Sequence, residues 1–357
     1  MKQVALALAL ILGASIVAAQ QPIVVNTQFN TESAGGGLSA TVARLQRSGQ
    51  PQWLGYEVPA LSRTNFSACS DFGDAPQYEE GCCGEYQLES PRHGFARDGL
   101  SSAQKPSSTS MYVLLRLDHG AIVKVRPANA GCRLNAGGIP FTWLTDVQPD
   151  DSVAFLAKLA ARPEDSQDKR ATDNALVTLS MHASPAATAA LALLAEPSNP
   201  PRLREKSAFW LGAQRGHEGF QVLQQLLTKE QDPKLREKLV FDLSINSDPA
   251  AIDELLKMAN SDASPQVRGQ AIFWLAQKAG KKASASITAA LENDPDMQVK
   301  KKAVFALSQL PQDEGVAQLM HVADSNSNPA IRKEAIFWLG QSKDPRALEY
   351  LEAILKR

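Results

Sequence analysis

Four cysteines, Cys69, Cys82, Cys83 and Cys132, together with His93, His119, Asp71, Asp74 and Asp118, are the side chains before residue 150 with the most obvious chemistry. An even number of cysteines in one compact stretch reads, in an oxidising compartment, as two disulfides. Four cysteines allow three pairings, and the one joining the neighbours Cys82 and Cys83 is sterically poor. The expectation is one local bridge from Cys69 and one longer bridge to Cys132. A zinc knuckle is the alternative, but Cys82-Cys83 lacks the usual two-residue gap and no histidine stands near at ligand spacing. The histidines and aspartates offer acid-base groups, yet none falls in a motif with a recognised mechanism. Gly-x-Ser-x-Gly, a phosphate-cradling glycine loop and His-Glu-x-x-His are all missing from the sequence. No catalytic residue, metal ligand or cofactor is therefore assigned.

The elements that must position these groups are short. Ile23 to Asn30 reads as a strand, Gly35-Gly36-Gly37 breaks the chain, and Leu38, Val42 and Leu45 have helical spacing. Gln52 to Val58 reads as a strand stopped by Pro59, and Met111 to Val125 as a hairpin turning at Asp118-His119-Gly120. Phe141 to Leu144 suggests one more strand. Ser62 to Ser110 is a long irregular loop that carries Cys69, Cys82 and Cys83, a length expected to be tied by disulfides or partly mobile.

The chain of 357 residues carries 37 Lys+Arg against 38 Asp+Glu, so no bulk charge draws it to nucleic acid or an anionic membrane. Met1-Lys2-Gln3, the apolar run to Ile16 and the small residues up to Ala19 read as a secretory signal peptide cut after Ala19. The apolar run is too short to span a bilayer comfortably, which takes about 20 residues. Stable membrane insertion after signal removal is not expected, and the expected location is secreted or periplasmic.

From residue 150 onward the sequence repeats. Phe209, Phe241, Phe273, Phe305 and Phe337 are spaced 32 residues apart, with Val177 a weaker earlier member, and a fixed period of this size marks a repeat array. Each unit reads as two helices. The first has buried-type columns headed by Leu203, Ser207, Ala208 and Leu211, the second by Phe220, Leu223 and Leu226, each on one helical face. Pro201, Pro233, Pro265 and Pro329 open first helices, with Asp232, Ser264 and Asn328 ahead of the last three as caps. Ser152 to Ala160 matches a second helix and is expected to cap the stack as a half-unit. Neither helix of a unit can bury its apolar face alone, so neighbouring units must stack.

The pattern Pro-x-Val-Arg-x-x-Ala-x-x-x-Leu-Gly, nearly whole at Pro329 to Gly340 and echoed at Pro265 to Leu275, resembles the HEAT repeat of phycobilisome-lyase-like proteins over about residues 150–357. The resemblance implies an α-solenoid and leaves function open. Deoxyhypusine hydroxylase-like members of the family bind iron through repeated His-Glu pairs; here His217-Glu218 lies in a turn, and His182 and His321 have no adjacent Glu. Lyase-like members attach bilins, and nothing in this sequence points to a pigment.

On a wheel of about 100° per residue the Phe column falls opposite the apolar arc, among Glu205, Lys206, Glu237, Lys238, Lys301, Lys302, Lys333 and Glu334. Two readings follow: an exposed aromatic ladder for a partner, or rings laid against Lys and Arg stems, the N-terminal region or an adjacent unit. Trp210, Trp274 and Trp338 occupy alternate units at the margin of the arc, as core filling. The column Arg204, Arg236, Arg268, Lys300 and Arg332 is expected to brace the stack against acidic groups in inter-helix turns, Asp248 and Asp344 among them.

The sequence thus divides into a signal peptide (1–19), a β-rich, disulfide-tied domain (20–149) and a HEAT-like α-solenoid (150–357), mainly α overall. The expected function is an exported, non-catalytic scaffold that binds a protein partner, through a groove lined by second helices or through Phe209, Phe241, Phe273, Phe305 and Phe337. The alternative is an enzyme with its site in the N-terminal domain or at its junction with the solenoid.

Overall fold

The computed structural model describes residues 21–61, 85–89, 109–163, 169–279 and 281–356. The expected signal peptide and the segment bearing Cys69, Asp71, Asp74, Cys82, Cys83 and His93 lie outside them.

The N-terminal part holds strands β1 (Val24–Val25), β2 (Phe29–Ser33), β3 (Gln52–Pro59), β4 (Tyr86–Gln87), β5 (Ser110–Asp118), β6 (Ala121–Asn129), β7 (Leu134–Asn135) and β8 (Phe141–Thr145), with helix α1 (Leu38–Gln46) after β2. The stretch from Ile23 to Asn30, expected as one strand, is two: Asn26 takes a positive φ of 52° and turns the chain between β1 and β2. Five strands form a sheet in the order β2-β8-β3-β5-β6, in which β2, β8 and β3 run parallel while β3-β5 and β5-β6 are antiparallel. The expected hairpin turns through His119 and Gly120, both at positive φ. A second small sheet, β1-β7-β4, covers one face of the first. Strands buried on both faces read as continuous apolar runs, which explains the sequence Met111-Tyr112-Val113-Leu114-Leu115.

The helices follow as α2 (Pro149–Ala160), α3 (Lys169–Met181), α4 (Pro185–Ala195), α5 (Pro201–Gln214), α6 (Gly216–Lys229), α7 (Pro233–Ile245), α8 (Ala250–Ser261), α9 (Pro265–Ala279), α10 (Lys281–Asn293), α11 (Met297–Ser308), α12 (Gln312–Ser325), α13 (Pro329–Gln341) and α14 (Pro345–Leu355). Their starts are chemically specified. Asp232, Asn328 and Asp344 each accept a backbone N–H two residues on, ahead of a proline at the first helical position, where its missing N–H costs nothing. Asp296 caps α11 in the same way without a proline.

First helices α5, α7, α9, α11 and α13 pack side by side along their lengths, whereas the second helices α6, α8, α10, α12 and α14 touch one another sparingly. Gly212 permits part of this: a Cβ there would lie 2.4 Å from the Asp242 carbonyl oxygen, so α5 and α7 meet backbone to backbone.

One buried cluster runs from the sheet into the array. It joins Leu54, Tyr56, Val113 and Leu115 to Val153 and Leu156 of α2, to Ala171 and Ala175 of α3, and onward to Leu339 of α13.

Candidate partner-binding face

Each of the helices α5, α7, α9, α11 and α13 presents one phenylalanine at the same place because the 32-residue unit restores the same helical phase. The rings join across units as well as within them. Phe209 meets Trp210 edge-on at 4.9 Å and stacks on Phe241 at 6.2 Å. Phe241 touches Trp274 at 5.0 Å, and Trp274 meets Phe273 at 4.8 Å. Phe273 stacks on Phe305 at 5.8 Å with only 5° between ring planes. Phe305 then touches Trp338 at 4.6 Å, which meets Phe337 at 5.1 Å. The result is a continuous ladder of rings from Trp210 to Phe337, each contact inside the separation at which aromatic pairs attract.

Exposure is graded along it. Trp210 is buried; Phe209, Phe241, Phe273, Phe305, Trp274 and Trp338 are half-buried; Phe337 is 54% exposed. Phe209, Trp274 and Trp338 also pack on the main core. Trp210 is core filling, as expected, whereas Trp274 and Trp338 link one Phe pair to the next. Trp338 Nε1 donates to Glu334 Oε1 at 3.1 Å, while Trp274 Nε1 is buried without a hydrogen-bond partner among the described residues. In the unit between Trp210 and Trp274 the equivalent residue is Asp242, 2% exposed. Burial drives its carboxyl pKa well up, with Glu205 adding to the effect and Lys238 opposing it.

Beneath the ladder the basic column does brace the stack, but not against Asp248 and Asp344. Arg204 pairs with Glu230, Arg236 with Asp262 and Arg268 with Asp294. Arg332 donates to the carbonyl oxygens of Asn326 and Ser327, and Lys300 to that of Glu292. The partners Glu230, Asp262, Asp294 and Asn326 themselves repeat every 32 residues, just beyond each second helix. Asp248 and Asp344 instead accept the Ala250 and Arg346 backbone N–H groups and start the next helices.

Of the acid-base candidates, Asp118 and His119 lie among the described residues. His119 is exposed in the β5-β6 turn beside Asp118, 3.9 Å away. No group of three or more His, Cys, Asp or Glu able to hold a metal occurs among the described residues. The polar chain at the junction of sheet and helices is one that sequence reasoning missed. Tyr56 Oη lies 2.9 Å from Ser152 Oγ, which lies 3.2 Å from His182 Nε2. All three are buried, so bulk substrate has no approach to them. Burial, with the Arg215 charge, lowers the His182 pKa to about 4 despite the opposing field of Asp150. Arg215 holds the turn before α4 by donating to the carbonyl oxygens of Ser180, His182 and Ser184. Ser152 and His182 are 30 residues apart in sequence and carried no local motif.

The stacked helical pairs are HEAT repeats: the family profile described as HEAT repeats matches residues 188–276 and 284–357. No curated protein matches the chain. Among solved structures, the complex of CpcE and CpcF of phycocyanin lyase from Nostoc sp. PCC7120 is similar at 25% identity and a TM-score of 0.33, over 44% of this chain and 100% of that one. Human deoxyhypusine hydroxylase in complex with glycerol is similar at 19% identity and a TM-score of 0.25, over 57% of this chain and 90% of that one. Neither likeness carries an activity over to this chain.

Proposed function

We propose that this protein is an exported scaffold that binds another protein along the first-helix face of its HEAT array. The observation that carries the reading is the continuous aromatic ladder from Trp210 to Phe337, half-buried through its middle and open at Phe337. A core does not require a phenylalanine at that helical phase in every unit, and aromatic rings left partly open to solvent are enriched at interaction sites. Half-buried rings held by their neighbours lose little freedom on binding, which favours affinity per unit of buried area.

Export rests on the leader-like residues 1–19, and cleavage would leave Gln20 as the first residue of the secreted protein. The reading includes a disulfide from Cys132, only 2% exposed, to Cys82 or Cys83, with Cys69 bridged to the other; peptide mapping without reductant identifies which. Affinity capture from the native cell envelope tests the scaffold. The intact protein should recover a specific partner that a Phe241→Ala/Phe273→Ala/Phe305→Ala variant, shown by circular dichroism to be folded, does not. Equal recovery by both removes the ladder from the function.

A further inference from the structure

Although the whole chain is close to neutral, its charges are sorted by layer. The first helices α9, α11 and α13 carry Arg268, Lys278, Lys300, Lys301, Lys302, Arg332 and Lys333, with Glu334 as the only carboxylate in their sequences. Arg268, Lys300 and Arg332 point into the inter-unit turns described above. Lys301, Lys302 and Lys333 share the ladder's helical face, three or four residues before Phe305 and Phe337. None of the three has an ion-pair partner among the described residues, and Glu334 is engaged by Trp338.

One glycine shows how this surface is built. Where the neighbouring units have Glu237 and Lys301, α9 has Gly269, and a Cβ there would lie 2.7 Å from Lys302 Cδ. The Lys302 stem therefore crosses from α11 over α9, where its Nζ donates to Gln270 Oε1 at 3.3 Å. The earlier half of the ladder is different. Lys206 pairs with Asp173, and Glu205 and Glu237 stand among the cations. Lys301, Lys302 and Lys333 thus gather at the end where the aromatic rings are most open, whereas in the earlier half Lys234 and Lys238 stand beside Glu205 and Glu237.

Resting on the scaffold reading above, we propose that the partner element is an acidic protein segment with interspersed apolar side chains, its carboxylates on Lys301, Lys302 and Lys333 and its apolar groups on Phe305, Trp338 and Phe337. The chemistry favours a peptide over single-stranded nucleic acid. Base stacking needs open ring faces, and here the faces of Phe273 and Phe305 are turned on each other at an interplanar angle of 5°. Phe337, which meets Trp338 edge-on, and the aliphatic lysine stems beside it form a surface suited to leucine or phenylalanine side chains flanked by carboxylates.

The test uses the mature full-length protein and fluorescein-labelled peptides of three Glu-Phe-Glu-Leu copies, with Gln-Phe-Gln-Leu, Lys-Phe-Lys-Leu and an oligothymidylate as comparators, read by anisotropy. The acidic peptide should bind in preference to the other probes, and Lys301→Glu/Lys302→Glu/Lys333→Glu should weaken it roughly tenfold or more while improving the basic peptide. Equal binding of glutamate and glutamine peptides, an unaffected lysine variant, preferential oligothymidylate binding, or no binding by the acidic peptide would overturn the proposal. If the glutamine peptide binds as well and Phe305→Ala/Phe337→Ala abolishes it, the acidic class fails and the ladder stands. If the Phe variant binds as the intact protein does, the ladder itself fails.

Discussion

Arg268 and Asp294 form a two-point pair across a repeat, Nε donating to Oδ2 at 2.7 Å and Nη2 to Oδ1 at 2.9 Å, both groups nearly buried. Arg268 Nη1 also donates to the Asp262 carbonyl oxygen at 2.8 Å, so one guanidinium ties the turn before α9 to the turn after α10. Fixed spacing between units, and with it the spacing of the ladder, depends on such ties.

Removing Asp294 strands a buried guanidinium, and Asp294→Ala is expected to cost about 3 kcal/mol. Urea unfolding monitored by circular dichroism checks this. The pH dependence has a definite sign. Desolvation raises the Asp294 pKa, but the Arg268 hydrogen bonds, the Asp296 N–H and the charges of Arg268 and Lys300 bring it below the ordinary carboxylate value. A depressed carboxylate pKa gives stability that is complete above the unfolded-state pKa and lost as pH falls through the folded one. Asp294→Asn should therefore flatten the acid limb of the stability profile.

His182 contributes acid lability by another route. Its folded pKa of about 4 against an ordinary 6.5 means that the unfolded chain takes up the proton first. Stability is full above pH 6.5 and falls as the pH drops toward 4, by roughly 3 kcal/mol. Thermal melts should show this loss in the intact protein and a shallower slope in His182→Gln.

Asp242 shows the opposite effect. A carboxyl whose pKa is raised by burial favours the folded state at low pH and opposes it once the pH exceeds the unfolded-state value. Its Oδ2 is buried with no hydrogen-bond partner among the described residues. Asp242→Ala, matching Ala306 of a later unit, should leave stability at pH 7 unchanged or raise it by about 1 kcal/mol. A large loss of melting temperature would contradict this account of the position.

Gly212→Ala places a methyl group against the Asp242 backbone and should push α5 and α7 apart, at a cost of about 1–3 kcal/mol. Scattering profiles of the folded variant should show an altered array curvature.

Much of this was legible in sequence because the 32-residue period carries caps, core columns and aromatic column together. The wheel put Phe209 to Phe337 off the core arc, and the structure leaves them half-buried or exposed. A wheel treats each helix alone, however, and could not show that Phe273 stacks on Phe305 of the next unit or that Trp338 links Phe305 to Phe337. The true partners of the arginine column were periodic and visible as Glu230, Asp262 and Asp294, but acids at Asp248 and Asp344 offered an equally plausible pairing before the turn geometry was known. The two-residue strands β1, β4 and β7 are too short for any periodic signal.

The most direct test of the scaffold places a photo-reactive benzoylphenylalanine at Phe337, on the open end of the ladder, or at Lys257, exposed on second helix α8, in the producing cell. The account predicts a discrete protein adduct from position 337 and none from position 257. Adducts from 257 with none from 337 would contradict it.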